Sequence, residues 1–565
     1  MANFGKYIRS GAILTVLTLL FVTFSFAGFT DKVRLNEDGM FVDSSSRVML
    51  FHGFNTVVKR FPWYDLQMKN ESRLKIYKNL GFNVVRLGLM WSGVMPLKST
   101  VNQTYLEEIE KIVDLCEKYG LYVLLDMHQD ELSSKFNSYD GVPLWLMNEF
   151  PRISSDYKYP WPFEKPPTRK FYNYLTYACA ECAEQLYTNL SIFKYWGDFW
   201  EVVADRFKQK NNVLGYELIN EPPMSNFYKR YESLSPAYVG KHHLLPVYDY
   251  LVKRIRVKDQ QTLVFFEPMT YGIFYPRGTG FTHAPGTVDD PRERLKSVLS
   301  YHYYCWPATR MKPNSTMPWW MRIFCDQILL PEVMINTAET ARLIGSGRFM
   351  TEFGHCAPDS NPLSINTIEC NKVLDTADEQ FESWTYWNDK LLDNFAYPVP
   401  THIKVLSRCY PRTVSGHLLN MRFDPKSAYF FLKFNKSSVS SISSNIIAEI
   451  FIPRAVHYPH GFVVALNPPV LKYTTKGDIL SIKAPFCLRK LTLIVEVVIM
   501  KREMQMLPLK HEVAYPTHRN VAGQYKAKSY SEDYGVREHS LFLNRMTANS
   551  SFSSRRLRED QIATL

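Results

Sequence analysis

The sequence predicts an α/β protein in which an eight-stranded (β/α)8 barrel, or TIM barrel, is followed by a C-terminal β-sandwich. Three observations support this prediction. Eight short apolar runs alternate with longer amphipathic segments between residues 48 and 387. From about residue 404 the pattern changes to short alternating runs separated by Ser, Pro, Asn and Gly turns. No glycine-rich phosphate loop follows any strand, which argues against the alternative of a doubly wound open sheet.

The predicted barrel strands have the length and composition of buried parallel strands. They are Val48–Phe54, Asn83–Leu89, Leu121–Met127, Val213–Asn220, Thr262–Glu267, Ser297–Tyr303, Arg348–Phe353 and Glu382–Trp387. Apolar residues at helical spacing predict helices between them, as at Tyr105–Tyr119, Tyr195–Lys208, Tyr248–Val257 and Pro331–Leu343. We therefore expect the barrel domain to span residues 29–403.

A long insertion, Glu131–Asn189, separates the third predicted strand from its helix. Insertions after barrel strands lie on the active-site face, so this one is expected to roof or line a cleft. The alternative is that its many aromatic residues form the core of a minor subdomain. These residues are Tyr139, Trp145, Phe150, Tyr157, Tyr159, Trp161, Phe163, Phe171, Tyr172 and Tyr174.

Residues 404–500 are predicted to form the β-sandwich. Its alternating runs are Tyr429–Phe434, Ile446–Phe451, Gly461–Leu466, Ile479–Ile482 and Leu491–Ile499. Cys409 and Cys487 fall in this region and are candidates to staple it. Residues 501–565 are polar, basic and poor in periodicity, so we expect this tail to be mostly disordered.

Residues 1–28 have the pattern of an export signal peptide. Lys6 and Arg9 precede an apolar stretch, and small residues follow it where a signal peptidase cleaves. An uncleaved signal anchor is the alternative, because the stretch approaches spanning length. Nine cysteines suggest some disulfides, and Asn-x-Ser/Thr sequons agree with a secretory route to a secreted or lysosomal destination. The sequons are at Asn70, Asn102, Asn189, Asn314, Asn435 and Asn549.

The formal charge of +12 and the pI near 9.0 favour anionic membranes or acidic glycans as partners, or reflect only a solvated surface. We expect no nucleic-acid partner, because no Lys/Arg cluster is interleaved with base-stacking aromatic residues. Cys179 and Cys182 form a lone CxxC without a second pair or suitably spaced histidines nearby. We therefore expect a disulfide or two buried thiols there, and neither a metal site nor a cofactor.

Two glutamates stand where predicted strands end. Glu221 follows the apolar part of LGYELINEPP, which Pro222 terminates because proline lacks a backbone donor. Glu352 closes the run that begins at Arg348. Two carboxylates at the C-terminal end of one barrel are the minimum equipment for cleaving a glycosidic bond. Either glutamate alone is also consistent with a helix-capping or salt-bridged carboxylate.

The order of the strands suggests how the two glutamates divide the chemistry. The fourth and seventh strands place their ends across the barrel mouth. A general acid must be protonated near neutral pH, and a second carboxylate nearby raises the pKa of the first. A carboxyl separation of about 5–5.5 Å makes such an enzyme retaining, with Glu352 as nucleophile and Glu221 as acid and then base.

Other strand ends carry polar or aromatic side chains, which are typical of a sugar site. Arg86, near the end of the second strand, is expected to hold the nucleophile carboxylate in its charged form. His128, Asp130, His302, Tyr304 and Trp387 stand at or just after the ends of the third, sixth and eighth strands. A lone histidine at such a place is more often a structural hydrogen-bonding residue than a catalytic one.

The chain resembles glycoside hydrolase family 5 and, within it, the endoglycoceramidases. Asn-Glu-Pro at 220–222 and Thr-Glu-Phe-Gly at 351–354 carry the family resemblance. Longer motifs carry the subgroup resemblance, which covers about residues 33–500. They are GFNTVVK (Gly53–Lys59), NVVRLGLMWSGVMP (Asn83–Pro96), LLDMHQDEL (Leu124–Leu132), DGVPLWL (Asp140–Leu146) and SYHYYCW (Ser300–Trp306).

The resemblance implies roles for particular residues. Glu221 is the acid/base, Glu352 is the nucleophile, and Asn220 contacts the 2-hydroxyl of the sugar next to the scissile bond. Sugar binding is further implied for Lys59, His128, Asp130, Tyr304 and a tryptophan of SWTYW, where strand-end placement favours Trp387 over Trp384.

The resemblance also implies a substrate with an oligosaccharide on one side and ceramide on the other, a glycosphingolipid such as a ganglioside. A membrane or micelle surface is then a transient partner, and an activator protein is a candidate partner. One alternative is a β-glucosidase that removes glucose from glucosylceramide or a steryl glucoside. A third hypothesis is a glycolipid-binding protein without catalysis.

Overall fold

The computed structural model describes residues 29–502, except 137–138, 140, 150–154, 309–310, 313–314, 355, 389–390, 394–395, 438–444 and 489. The predicted signal peptide and all but the first two residues of the predicted tail lie outside the described residues. Across the described part of the chain, every helix is too short or too polar to traverse a lipid bilayer.

Eight parallel strands close into a barrel, as the sequence predicts. Three short strands come first: β1 (Arg34–Leu35), β2 (Phe41–Val42) and β3 (Val48–Met49). The barrel strands follow: β4 (His52–Thr56), β5 (Val84–Gly88), β6 (Tyr122–Asp126), β7 (Val213–Glu217), β8 (Leu263–Phe266), β9 (Ser297–Tyr303), β10 (Gly347–Gly354) and β11 (Trp384–Trp387). Neighbours in sequence are neighbours in space, and β11 pairs with β4 to close the ring.

Antiparallel strands form the C-terminal domain. They are β12 (Tyr410–Val414), β13 (Gly416–Asp424), β14 (Tyr429–Lys436), β15 (Ile446–Phe451), β16 (Phe462–Asn467), β17 (Lys472–Lys476), β18 (Ile479–Lys483) and β19 (Leu493–Lys501). One sheet has the order β13-β14-β19-β16. The other sheet has the order β1-β2-β3-β12-β15-β18-β17, so the first three strands of the chain belong to it. The fold class is therefore an α/β barrel with an antiparallel C-terminal domain, as predicted.

The apolar run Val48–Phe54, predicted to be one barrel strand, is divided between the two domains. Val48 and Met49 pair with β12 in the seven-stranded sheet, whereas His52–Thr56 pair with barrel strands on both sides. Every residue from Val48 to Thr56 is buried. The apolar pattern alone therefore does not show where the chain passes from the seven-stranded sheet into the barrel.

The described helices are mostly those between the barrel strands. Those of ten or more residues are Gln103–Lys118, Tyr177–Thr188, Leu190–Phe207, Leu245–Arg256, Leu330–Ile344 and Ile365–Glu379. The shorter α-helices are Glu71–Asn79, Trp91–Val94, Leu144–Glu149, Lys170–Tyr174, Pro236–Val239, Trp319–Arg322, Pro400–Leu406 and Arg454–His457. Asn102 caps the first long helix by accepting from the Tyr105 N–H, which satisfies one of its otherwise unpaired donors.

The N-terminal segment closes the floor of the barrel, opposite the ends where the glutamates lie. The Phe41 ring contacts three aromatic rings in or just before barrel strands: Phe51 at 5.2 Å, Phe349 at 5.9 Å and Phe265 at 6.4 Å between centroids. All four side chains are buried, and they form one cluster with Val33 and other apolar residues. This packing excludes water from the floor and leaves the opposite mouth as the open end.

Two disulfides form, and neither is the predicted staple of the sandwich. Cys305, just after β9, is bonded to Cys325 on the helical segment that follows, and Cys356, just after β10, is bonded to Cys370 on the helix Ile365–Glu379. The suggestion that Cys409 and Cys487 staple the sandwich is wrong, because Cys409 is a buried free thiol and Cys487 an exposed one. Cys179 and Cys182 are buried free thiols on one helix, which is one of the two alternatives left open by the sequence.

A buried histidine at the junction of barrel and sandwich makes stability depend on pH. Burial lowers the pKa of His457 to about 4, and its Nε2 lies 3.0 Å from the Ser407 carbonyl oxygen. The unfolded chain takes up this proton near pH 6.5, whereas the folded chain does so only near pH 4. The contribution of this histidine to stability is therefore complete above pH 6.5 and is lost as the pH falls from 6.5 towards 4.

We predict that His457→Gln reduces the acid sensitivity of folding. Between pH 7 and pH 5, the free energy of unfolding of the wild type should fall by about 2 kcal/mol more than that of the variant. Urea unfolding at the two pH values measures this difference. His417→Gln is the control, because His417 is exposed and should leave the acid sensitivity unchanged. An equal fall in wild type and His457→Gln would contradict the prediction.

Candidate active site

The two predicted catalytic glutamates face one another at the mouth of the barrel. One carboxylate oxygen of Glu221, one of Glu352 and a ring nitrogen of His302 all lie within 4.8 Å of one another. The Glu352 side chain is 5% exposed, whereas that of Glu221 is 22% exposed. This distance leaves no room for a water molecule between carboxylate and sugar, and it matches a retaining glycosidase rather than an inverting one.

Glu221 lies beyond its strand, not at its end as predicted. β7 ends at Glu217, but backbone hydrogen bonds to the chain on either side continue beyond it. The Leu218 N–H donates to Phe265 O at 2.9 Å, and the Asn220 N–H donates to Met127 O at 3.1 Å. Glu221 has φ of 40°, a left-handed conformation that side chains rarely adopt. The backbone therefore leaves the sheet at Glu221 and turns its side chain over the mouth.

Arg86 is the buried centre of the site. Its guanidinium donates to Glu352 Oε1 at 2.7 Å and to Glu217 Oε2 at 2.5 Å, and it lies 3.1 Å from Asp126 Oδ2. The same group donates to Asn220 Oδ1 at 2.9 Å. The planar fork of donors thus ties the second strand to the third, fourth and seventh.

The nucleophile candidate Glu352 is held in its charged form. Tyr304 donates to Glu352 Oε2 at 2.6 Å, on the oxygen that Arg86 does not bind. Burial alone raises the pKa of Glu352, but the cations of His302 and Arg86 outweigh it and hold the pKa below its ordinary value. A carboxylate that is ionised and fixed at both oxygens can attack a carbon only from one direction.

A cationic histidine lies between the two glutamates. His302 Nδ1 is 3.0 Å from Glu221 Oε1 and 3.4 Å from Glu352 Oε2. Burial lowers the pKa of this ring, but Glu267, Glu352 and Glu221 together raise it to about 9. His302 therefore carries a proton at neutral pH and reduces the repulsion between the carboxylates.

A second group of predicted residues extends the site to one side. Asp126 connects it to Arg86 and lies 2.7 Å from His128 Nδ1. Burial lowers the pKa of His128 to about 4, so the ring is neutral, donates through Nδ1 and presents Nε2 as an acceptor. The His128 ring stacks on Trp387 at 5.6 Å, and the Lys59 ammonium lies over the Trp387 indole and binds Asp130.

These contacts suit a sugar. The half-buried Trp387 indole offers a flat face to an apolar sugar surface, while Lys59, Asp130 and His128 offer donors and acceptors around it. The structure thus brings all ten predicted site residues into one connected set of contacts. Their individual roles remain predictions.

Two aromatic residues, Tyr271 and Phe171, lie near Glu221. Burial raises the pKa of Tyr271 to about 12, and the charge of Glu221 adds to this effect. Phe171 of the insertion meets Tyr271 edge-on at 6.2 Å, and both rings remain more than 40% exposed. Because a general acid protonates the leaving group, Glu221 in its predicted role would act next to these aromatic rings.

The described aromatic residues of the insertion include some that line the cleft and others that pack together as a small core, the two alternatives given by the sequence. Tyr139 and Phe171 lie at the mouth, where the Lys59 ammonium is 5.5 Å from the Tyr139 ring. Tyr157 and Trp161 instead pack on each other at 5.0 Å and on Tyr177, away from the catalytic contacts. One part of the segment therefore lines the cleft, and another supports it.

Several residues of the site were not singled out from the sequence. Glu217 and Asp126 balance the charge of Arg86, and Gln129 donates from Nε2 to the carbonyl oxygens of Asn220 and Glu221 at 2.7 and 2.9 Å. Glu267 accepts from the Glu221 N–H at 2.7 Å. Glu267 directly follows the fifth strand, which is the same signal that identified the predicted residues.

Replacing the predicted acid should affect substrates according to their leaving group. We predict that Glu221→Gln lowers kcat/KM by roughly 10²–10⁴-fold for a natural glycoside, whose alkoxide must be protonated as it departs. A dinitrophenyl glycoside needs no proton, so its kcat/KM should change by less than about tenfold. Steady-state kinetics on both substrates measures the split. Equal losses would contradict the assignment of Glu221 as acid.

Comparison with known proteins agrees with this geometry. The family described as Cellulase (glycosyl hydrolase family 5) matches residues 42–390, and the glycoside hydrolase family 5 C-terminal domain matches residues 408–485. An endoglycoceramidase of Hydra vulgaris is 31% identical over 485 residues, covering 81% of this chain and 87% of the relative.

Solved structures share the fold over a similar range. Endo-glycoceramidase II from Rhodococcus sp. in complex with ganglioside GM3 has a TM-score of 0.66 and 21% identity, covering 81% of this chain and 98% of that one. The lactosyl-enzyme intermediate of the same enzyme has a TM-score of 0.65 and 22% identity, covering 81% and 99%.

Proposed function

Because the chain belongs to glycoside hydrolase family 5, we propose that it is a retaining endo-β-glycosidase that cleaves the linkage between oligosaccharide and ceramide in glycosphingolipids. The observation that carries this proposal is the approach of Glu221 and Glu352 to within 4.8 Å, with one fixed and charged and the other more exposed.

The first step forms a glycosyl-enzyme. A Glu352 carboxylate oxygen attacks the anomeric carbon while the bond from that carbon to the ceramide oxygen breaks. The proton of Glu221 passes to the departing oxygen and yields the ceramide alcohol. His302 and Arg86 stabilise the charge of Glu352 before the attack. Asn220, whose Oδ1 accepts from Arg86, contacts the 2-hydroxyl of the sugar in this proposal.

The second step releases the glycan. Water attacks the anomeric carbon on the face that the ceramide left, and Glu221, now a carboxylate, removes its proton. The ester bond to Glu352 breaks and regenerates the carboxylate. The intact oligosaccharide leaves with the same anomeric configuration that it had in the substrate.

Both sides of the cleft suit an amphipathic substrate. Lys59, Asp130 and His128 provide polar groups on the glycan side, whereas Phe171 and Tyr271 provide an apolar wall beside Glu221. The relatives agree with this division: one is called endoglycoceramidase, and another was solved with ganglioside GM3. Gangliosides are therefore the first substrates to test.

Incubation with a fluorescent ganglioside distinguishes the candidate functions. An intact oligosaccharide and free ceramide are the expected products. Release of a single monosaccharide would favour a β-glucosidase that acts on glucosylceramide or steryl glucosides. No product from any glycosphingolipid, with the ligand still bound, would favour a binding protein.

The setting of the reaction follows from the substrate. A glycosphingolipid is held in a membrane or micelle, so the enzyme contacts such a surface transiently, and an activator protein that extracts the lipid is a candidate partner.

The two disulfides and the sequons support a secreted or lysosomal location. Deglycosylation of the protein from secretory cells should increase its mobility on a denaturing gel; no change would count against this route.

A further inference from the structure

An exposed apolar surface lies on the rim of the barrel mouth. It consists of Trp306, Trp319, Trp320, Ile323 and Leu363, which are between 40% and 74% exposed. We call this set the rim surface. Four of its members follow β9 and one follows β10, so all belong to segments that leave the barrel strands at its C-terminal face. Trp306 and Leu363 lie in turns, whereas Trp319, Trp320 and Ile323 lie in a helical segment. Trp306 is two residues beyond Tyr304, which donates to the predicted nucleophile.

The fold does not require these side chains to be apolar. The helical segment from Trp319 onwards buries Met321 and Cys325 in a small core, and it presents Trp319, Trp320 and Ile323 on the opposite face. Exposed tryptophans are costly in water and are normally avoided outside binding surfaces.

Two disulfides and a backbone hydrogen bond connect the segments that carry the rim surface. The Cys305–Cys325 disulfide closes the loop after β9, and Cys356–Cys370 ties the loop after β10 to the following helix. The two loops are joined where the Met317 N–H donates to Leu363 O at 3.2 Å. Connections of this kind lower the entropy cost of ordering a surface when it binds.

We propose that the rim surface is the part of the protein that enters the interface of a lipid bilayer while the cleft takes up its substrate. Tryptophan prefers the level of the headgroups, where its ring is apolar and its N–H remains hydrated. Arg322 lies on the same helical segment as Trp319 and Ile323, is exposed, and contacts Asp326 through Nε at 3.6 Å, so its other donors match anionic headgroups. This inference rests on the proposed function, since only a membrane-held substrate requires the mouth to face a bilayer.

Vesicle sedimentation tests the proposal. Wild-type protein should bind vesicles of phosphatidylcholine with phosphatidylserine, and Trp319→Ser/Trp320→Ser should lower the bound fraction by about tenfold or more. The control is Val257→Ser/Leu343→Ser, which removes two exposed apolar residues at the opposite end of the barrel, before β8 and β10. It should bind as the wild type does. If the variant Trp319→Ser/Trp320→Ser binds vesicles as strongly as the wild type, the proposal is overturned.

A second assay separates this proposal from the proposed function. With ganglioside dispersed in detergent, the tryptophan variant should retain activity within about twofold, whereas with ganglioside in vesicles it should lose about tenfold. If the wild type binds vesicles but hydrolyses ganglioside neither in detergent nor in vesicles, the proposed function is refuted and the proposal about the rim surface is not. A wild-type dimer that the tryptophan substitutions convert to monomer would overturn the proposal in favour of self-association.

A different observation concerns Glu267, which is 1% exposed. Its carboxyl group contacts the backbone of Glu221, the predicted acid. Its Oε2 accepts from the Glu221 N–H at 2.7 Å, and its Oε1 lies 3.6 Å from His302 Nδ1. Glu221 has the rare φ of 40°, so its peptide needs an external partner to stay in that conformation.

We infer that Glu267 is a positioning residue that fixes the backbone of Glu221 and thereby aims the acid at the departing oxygen. Without this acceptor, the peptide of Glu221 relaxes and the carboxyl moves away from the line of proton transfer. Displacements of about 1 Å in such a group cost about 10²-fold in rate.

The test compares two substrates with different leaving groups. Loss of a merely structural residue would lower kcat/KM equally for both. Glu267→Leu removes the carboxyl group, and Glu267→Asp keeps a carboxyl group but shortens the side chain that accepts from the Glu221 N–H. Both should lower kcat/KM for a natural glycosphingolipid by about 10²-fold and that for a dinitrophenyl glycoside by less than about fivefold. Glu267→Gln, whose amide oxygen can still accept, should remain within about tenfold of the wild type on both.

Equal losses on both substrates, or wild-type kinetics in Glu267→Asp, would overturn the inference. If Glu267→Leu does not fold, Glu267→Asp decides the question by the same comparison. The inference about Glu267 does not depend on the lipid part of the substrate, because any glycoside with a poor leaving group reports on it.

Discussion

Glu352→Gln is expected to abolish turnover of every glycoside, with a loss on the order of 10⁵-fold. The amide that replaces the carboxylate has no negative oxygen to form the glycosyl ester, so neither natural nor activated substrates can react. The measurement is kcat on a ganglioside and on a dinitrophenyl glycoside. Mass spectrometry adds a second readout, since a slow fluorinated substrate should label the wild type and leave the variant unlabelled.

A matched glutamine substitution provides the control. Glu369 is buried in a helix outside the catalytic contacts, and burial, with Asp326, raises its pKa to about 8. It is therefore protonated at pH 7, and a neutral amide resembles it in charge and shape. Glu369→Gln should keep turnover within a few fold. Labelling of Glu352→Gln, or comparable loss in both variants, would refute Glu352 as nucleophile.

Arg86→Met is expected to lower the free energy of unfolding by about 3–5 kcal/mol and to inactivate the enzyme. The guanidinium is fully buried and balances Glu217, Asp126 and Glu352. Removing it leaves these buried carboxylates without their main cation, and Glu352 then gains affinity for a proton and loses nucleophilicity. Urea unfolding and kcat measure the two effects.

Arg254→Met is the control for the loss of an arginine. Arg254 also contacts two carboxylates, Asp198 and Glu201, but its side chain is 22% exposed and water can replace it. Its loss should cost only about 1 kcal/mol or less. Arg86→Lys is a further comparison: it keeps the charge but not the fork of donors, and it should stay inactive. Equal destabilisation by Arg86→Met and Arg254→Met would contradict the central role of Arg86.

The sequence is most informative where one physical requirement acts alone. The strands Ser297–Tyr303 and Ile446–Phe451 have the same bounds in prediction and structure, because each is an apolar or alternating run with clear ends. The run Val48–Phe54 is different, since both of its parts are buried and only tertiary pairing divides them. β1 and β2 have two residues each and are too short for any periodicity.

The same limit applies to the site. Glu221 and Glu352 could be chosen from position and neighbours, and the contact between Arg86 and Glu352 agrees with its expected role. Glu267 carries the same strand-end signal but no motif around it, so only the 2.7 Å contact with the Glu221 N–H reveals it. Disulfide partners depend on which loops meet, which explains why the pairing suggested for Cys409 and Cys487 is wrong.

The seven-stranded sheet has a consequence for how the chain matures. β3, near the start of the chain, pairs with β12, which the ribosome makes more than 360 residues later, as the contact between Met49 and Thr413 shows. The edge of β3 therefore stays open through most of synthesis and must be protected from wrong partners until β12 emerges. A barrel expressed without its C-terminal region would keep that edge open permanently, and we expect it to accumulate as aggregate.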